Sequence, residues 1–298
     1  MKKMLLVFNP KAGRREFTRK LYQTVNLFTR AGYELVVYPT GKNGDAFSLI
    51  SERGPDFDII VCSGGDGIVN EAVNAYMSGK TFPPLAYIPS GTTNDLAVAL
   101  GLPLNIMGAA KAVLDGSPRM FDIGKFGDKY FSYVAAFGLF TEATYTTDQN
   151  AKNMFGRIAY LLEGIKQLAN IRKFECSIAI DGETIAGNFI LGIITNSSSV
   201  GGFRVQSDGN SSMDDGLFET IFVRSPDNSA KQSELMTALS GPPVPSEMII
   251  QRSAKRVVVT SAQPINWTLD GEYGGQHTEV VIENLPRAMG IIVPAGKS

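Results

Sequence analysis

The strongest constraint in this chain is a change of hydrophobic period partway along it. Up to Asp122, short apolar runs at Met4–Phe8, Glu34–Tyr38, Ile59–Cys62 and Leu85–Ile88 alternate with segments of helical spacing, such as Phe17, Leu21, Val25 and Phe28. Continuous apolar strands separated by amphipathic helices predict a parallel sheet covered on both faces. Beyond Asp122 the period shortens. Cys176–Ile180 alternates at period two, and Asp181-Gly182 gives a hairpin signal before Ile185. Strand-like runs follow at Phe189–Thr195, Phe218–Val223, Arg256–Thr260, Asn266–Leu269 and Glu279–Ile282. One helical stripe, Phe155 to Leu168, interrupts them and reads as core rather than lipid-binding. The expectation is an α/β domain over residues 1–122, then a β-rich domain over residues 123–288. A 298-residue chain that is 44% hydrophobic has material for both cores.

Composition narrows the chemistry. A formal net charge of -1 offers no bulk attraction to nucleic acid or to an anionic membrane, so any phosphate chemistry must be local. The single histidine, His277, excludes a multi-histidine zinc site and reads as a surface strand residue, while Trp267 reads as core. Cys62 and Cys176 match no metal or redox spacing and suit a reducing compartment. The apolar run near the amino terminus is too short for a signal peptide, and no stretch approaches the ~18 residues of a membrane span. A soluble, cytoplasmic protein is expected.

In parallel sheets ligands bind beyond the carboxyl ends of the strands, so the turns there carry the functional signal. Ser63-Gly-Gly-Asp-Gly67 follows a strand and precedes a helix-like run. Its glycines allow close backbone approach, and the helix amides favour phosphate. It matches neither the dinucleotide fingerprint nor a Walker A spacing. Asp66, an anion within such a cradle, makes sense with a divalent cation, or else it caps a tight turn. Gly91-Thr-Thr-Asn-Asp95 adds hydroxyls and a carboxylate, or is a plain helix cap. Asn9–Gly13, followed by Arg14-Arg15, is a further phosphate-loop candidate, and Asp122 is a third buried carboxylate or an ordinary loop residue. Asp-Gly-Glu occurs at Asp181–Glu183 and at Asp270–Glu272, and each copy reads locally as a hairpin turn.

Taken in order, Asn9-Pro-x-x-Gly13, Thr40, Gly64-Gly-Asp-Gly67 with Asn70-Glu71, Pro89-x-Gly-Thr-x-Asn-Asp95, Asp122-Ile-Gly124, Asp214-Asp-Gly-Leu217 and Asp270-Gly-Glu272 resemble the soluble bacterial diacylglycerol kinase family. That family shares its catalytic domain with sphingosine kinases. The resemblance covers nearly the whole chain. It implies an ATP-binding α/β domain, a carboxy-terminal antiparallel β-sandwich and a last strand, about residues 289–298, that returns to the first domain. It places Asn9, Pro10, Lys11, Ala12, Gly13, Thr40, Gly65, Asp66, Gly67, Ile68, Val69, Asn70, Glu71 and Thr92 along ATP. Asp66, Asp95 and Asp122 would hold the catalytic magnesium, largely through water. The Asp215 side chain and the carbonyls of Ser212 and Leu217 would hold a structural one. Glu272 would be the base, with Asp270 orienting it or approaching the phosphate, and Asp66 is counted with them as catalytic.

The implied reaction moves the γ-phosphate of ATP to a lipid hydroxyl, with diacylglycerol giving phosphatidic acid. The partners implied are a lipid at the membrane surface, visited transiently, and a nucleotide. A homodimer is left open. The Gly-Gly-Asp-Gly loop is shared with NAD kinases, so an NAD kinase is the alternative of like chemistry. Two departures stand out: Ile68 replaces the family's threonine, and Gly209-Asn210-Ser211 replaces Pro-x-Ala. The first keeps open a catalytically silent lipid- or nucleotide-binding homologue.

Overall fold

The computed structural model describes residues 1–79, 81–139, 172–197, 199–200, 203–204, 212–240 and 246–295. The Phe155–Leu168 stripe and Gly209–Ser211 lie outside them. The chain forms two compact units, Met1–Ile123 with Arg287–Ser298, and Gly124–Pro286.

The first unit runs β1 (Lys2–Phe8), α1 (Glu16–Arg30), β2 (Tyr33–Pro39), α2 (Asp45–Arg53), β3 (Ile59–Gly64), α3 (Asp66–Tyr76), β4 (Leu85–Pro89), α4 (Asp95–Ala99), α5 (Ile106–Asp115) and β5 (Ser117–Phe126), whose last residues enter the second unit. The sheet order is β2-β1-β3-β4, all parallel, and Ile291 pairs in parallel with Leu85 on β4. β3 and β4 are buried along their whole length, which is why they are continuously apolar, whereas β2 at the edge is partly exposed. On one face Phe17 and Phe28 of α1 meet Ile106, Ala109 and Val113 of α5. Because β1 leads to β2 on one side and β3 to β4 on the other, the order reverses between β1 and β3. That is where open α/β sheets form a ligand crevice.

The second unit continues with β6 (Lys129–Phe131), β7 (Val134–Gly138), β8 (Phe174–Ile180), β9 (Glu183–Thr195), β10 (Ser199–Val200), β11 (Phe203–Arg204), β12 (Phe218–Arg224), α6 (Ser229–Ser240), β13 (Ile249–Ala254), β14 (Arg256–Leu269) and β15 (Glu272–Val293), the end of which lies in the first unit. Its antiparallel order is β13-β12-β9-β7-β14-β15. β8 also pairs with both β9 and β14, using their first halves, while β7 uses their second halves. The long strands thereby wrap an aromatic core. Trp267 is 4.8 Å from Phe137 and 5.0 Å from Phe126 between ring centroids, and Phe131 stacks on Phe218. Gly192 is glycine because a Cβ there would lie 2.0 Å from the Phe137 ring.

The sequence reading splits two strands that the structure joins. Arg256–Thr260 and Asn266–Leu269 are one strand with a register shift between Thr260 and Ile265, where Pro264 has no amide to give the ladder. Glu279–Ile282 likewise belongs to the single long β15. Of the two readings of Asp122, the buried carboxylate is the one found: it is fully buried, within β5 rather than a loop. His277 is on a strand as expected, but half-buried, with its ring edge-on to Phe126 at 5.3 Å. No helix among the described residues is long and apolar enough to cross a membrane.

Candidate functional site

The turns leaving β1, β3 and β4 are built into one another. After β1, the Asn9 side chain accepts from the Lys11 amide at 2.9 Å, and the Asn9 amide donates to the Ser63 carbonyl at 2.9 Å. Gly13 has φ +53, and a Cβ on it would lie 2.5 Å from the Ser90 carbonyl oxygen. After β3 and β4, the Ser90 amide donates to the Gly64 carbonyl at 2.8 Å, and the Ser63 and Ser90 hydroxyls meet at 3.2 Å. A Cβ on Gly91 would fall 2.4 Å from the Gly65 Cα. Any side chain at Gly91 would therefore drive the two loops apart. Gly65 opens α3 with no side-chain cap on the helix amides, and Asp66 occupies its first turn. Ile68 is buried, its Cγ2 2.7 Å from where a Gly64 Cβ would be, so it packs the loop from within.

Several of the expected residues hold this arrangement in place. Both oxygens of Glu71 are engaged by α2. Oε1 accepts from Gly44 at 2.9 Å, and Oε2 accepts from Ala46 at 2.9 Å and Phe47 at 3.2 Å. Glu71 thus fastens the stretch after Thr40 to α3. Asp45 closes the same stretch, and the amides of Gly41 and then Lys42 hold its carboxyl below the usual range. The Thr40 amide donates to the Phe8 carbonyl at 2.9 Å, and Thr92 is exposed. Burial raises the Tyr87 phenol well above its ordinary value, and the charges of Asp66, Cys62 and Asp95 raise it further. Both loop carboxylates therefore lie within electrostatic reach of one phenol. Asp122 Oδ1 accepts from the Arg287 amide at 2.7 Å and pins the returning strand. Among the described residues, no three His, Cys, Asp or Glu side chains converge closely enough to hold a metal by themselves.

The two Asp-Gly-Glu turns of the second unit have one design. Asp181 and Gly182 have φ +47 and +97, Asp270 and Gly271 have +51 and +85, and each pair closes a two-residue hairpin. In each, the aspartate accepts amides from a neighbouring segment. Asp181 takes Lys255 and Arg256. Asp270 takes the amides of Ser132, Tyr133 and Val134 at 2.8, 2.8 and 3.0 Å, and the Ser132 hydroxyl at 3.0 Å. Its carboxylate is committed to shaping the turn from which the exposed Glu272 begins β15. In the Ser212–Leu217 loop, Asp215 accepts the amides of Ser212 at 3.0 Å and Leu217 at 2.9 Å, while the Ser212 hydroxyl donates to Asp214.

The structure thus brings together the Asn9–Gly13, Gly64–Ile68 and Gly91–Asp95 residues. Glu71 joins α3 to the start of α2, Thr40 is bonded to the end of β1, and Asp122 lies buried on β5. The sequence reading missed Tyr87 and Asn94 as supports. Asn94 at φ +54 could have been found, since asparagine tolerates the left-handed region and bonds its own turn.

The twin turns give a direct expectation. Asp270→Ala leaves the amides of three buried residues without their acceptor and should lower unfolding free energy by about 2–3 kcal/mol. Asp181→Ala, at an exposed turn where water replaces the carboxylate, should cost less than about 1 kcal/mol. Denaturant titration compares them, and equal losses would contradict the anchoring role of Asp270.

Comparison with known proteins bears on the identity of this arrangement. Residues 3–126 match the diacylglycerol kinase catalytic domain, and residues 134–293 match the YegS C-terminal NAD kinase beta sandwich-like domain. A diacylglycerol kinase of Bacillus subtilis (strain 168) is 37% identical over 301 residues, covering 100% of this chain and 98% of that protein. One from Staphylococcus haemolyticus (strain JCSC1435) is 35% identical over 91% of this chain and 82% of its own. A crystal structure of a diacylglycerol kinase from Bacillus anthracis str. Sterne superposes with a TM-score of 0.73 at 26% identity, covering 98% of this chain and 97% of that one. With both of its halves matched in this way, the chain belongs to the diacylglycerol kinase family of lipid kinases.

Proposed function

We propose that this chain transfers the γ-phosphate of ATP to the free hydroxyl of diacylglycerol, giving phosphatidic acid, with magnesium as cofactor. The observation that carries the reading is the meeting of three glycine turns at the reversal point of the sheet, in a chain similar over its full length to diacylglycerol kinases.

The residues present suit a magnesium–nucleotide. At Gly65 and Gly91 the turns present bare backbone, which phosphate oxygens can approach. The donors about them are the oxygens of Asp66 and Asp95, the type a hard divalent cation takes. When bound, magnesium supplies positive charge against the triphosphate. The chain's own part is to bind and orient. Asn9–Gly13 and the amides opening α3 take the phosphates, Thr40 and Thr92 flank them, and Asp66 and Asp95 fix the cation. Asp122, held by the Arg287 amide, takes part through water. Glu272 accepts the proton of the lipid hydroxyl, and Asp270 keeps its turn in place. A lipid acceptor also implies transient contact with a membrane surface from the cytoplasm.

Labelled ATP, offered with diacylglycerol micelles or with NAD, tests this directly. Label should enter phosphatidic acid, and label in NADP alone would overturn the reading. Asp66→Ala should abolish turnover with the fold intact, since it removes charge from a turn rather than volume from a core. Glu272→Gln should cut turnover by ~10²–10⁴-fold with little change in ATP affinity. Glu183→Gln, in the twin turn, should leave it near wild type, and the reverse pattern would refute the base.

We further assign the Ser212–Leu217 loop a structural magnesium, held by Asp215 and by the carbonyls of Ser212 and Leu217. An all-oxygen set in a loop already folded about Asp215 suits that ion. Melting curves should rise with magnesium, and Asp215→Asn should remove that dependence. Curves indifferent to both would eliminate the structural ion.

A further inference from the structure

Tyr87 is only 2% exposed and lies on β4, yet its hydroxyl reaches the ends of two different strands. It stands 3.1 Å from the Gly64 carbonyl oxygen, where β3 ends, and 3.1 Å from Asn94 Oδ1, in the turn after β4. A phenol has one proton and both neighbours are acceptors, so that proton is shared between the loops. Asn94 passes the contact on. Its Oδ1 accepts from the Gly91 amide at 2.9 Å, and its Nδ2 donates to the Gly91 carbonyl at 3.0 Å. Gly91 is the residue that meets Gly65. A continuous path thus runs from Gly64 through Tyr87 and Asn94 to Gly91 and back to Gly65. Burial and the nearby carboxylates keep the phenol protonated, and hence a donor, across any working pH.

We propose that Tyr87, acting through Asn94, is a positioning residue of the phosphoryl-transfer site: it sets the spacing between the Gly64–Asp66 and Gly91–Asp95 loops, and with it the spacing of Asp66 from Asp95. The inference rests on the reading of these loops as the ATP site. Tyr87 touches neither substrate nor metal in this account. Its effect is felt by whatever both carboxylates must hold at once.

Tyr87→Phe isolates the hydroxyl cleanly. Without it, the Gly64 carbonyl keeps the Ser90 amide at 2.8 Å and Asn94 Oδ1 keeps the Gly91 amide at 2.9 Å, so neither acceptor is orphaned and the ring still fills its place. The melting temperature should stay near wild type. With diacylglycerol micelles, kcat should fall by about five- to tenfold, the size of one hydrogen bond's net worth. KM for the lipid should hold, and the magnesium concentration for half-maximal rate should rise. Asn94→Gly, which tolerates the left-handed backbone, should lose more, and the double variant no more than Asn94→Gly alone, because the two act in series. A Tyr87→Phe enzyme with wild-type kcat and magnesium dependence would overturn the proposal, as would losses that multiply in the double variant. Calorimetry of magnesium-ATP on the wild-type chain separates this from the underlying reading. Tight binding with an indifferent Tyr87→Phe refutes the positioning role alone, whereas no binding at all refutes the nucleotide site and the proposal with it.

Discussion

Gly91 and Gly65 approach so closely that a Cβ on the first would lie 2.4 Å from the Cα of the second, and the rest of the candidate site is arranged to permit that contact. The parallel order β2-β1-β3-β4 brings the carboxyl ends of β1, β3 and β4 side by side. Ser63, Ser90, Tyr87 and Asn94 then tie the turns in hydrogen bonds. A strand-end turn normally costs little to displace, but these turns hold one another. The result is a stretch of bare backbone at Gly65 and Gly91, with Asp66 and Asp95 in the same turns.

Four of the acidic residues have a task in the architecture. Glu71, Asp122, Asp215 and Asp270 each accept backbone amides and fix the path of the chain. Asp66 and Asp95 sit at the starts of helices, in the turns that meet at Gly65 and Gly91. For Glu71 and Asp270, whose carboxylates are taken up by amides, stability should register a substitution first. The same aspartate device closes both Asp-Gly-Glu hairpins, so the tripeptide is first a turn and only then a carrier of Glu272.

Much of the fold is legible in the sequence because burial on both faces writes itself as continuous apolar runs. β1, β3 and β4 and the α1 stripe are of that kind. β5 is not: its first half is exposed and its second buried, so neither period shows, and local pattern leaves Asp122 open between a buried carboxylate and a loop residue. β14 hides its continuity behind a bulge at Pro264. At the site, the glycine turns announce themselves, since only glycine allows their approach. What stays silent is support from a distance. Tyr87 looks like one more apolar strand residue, and nothing in the spacing of Glu71 says that it holds α2. Such contacts arise from strand order, which local pattern does not encode.

Backbone amide exchange with and without magnesium-ATP is the most direct measurement of the central claim that these turns cradle the nucleotide. Protection should rise at the amides of Asn9–Gly13, Gly65–Asn70 and Gly91–Asp95, with little change on β12 and β13. Protection confined to other segments, with these turns exchanging as before, would contradict it.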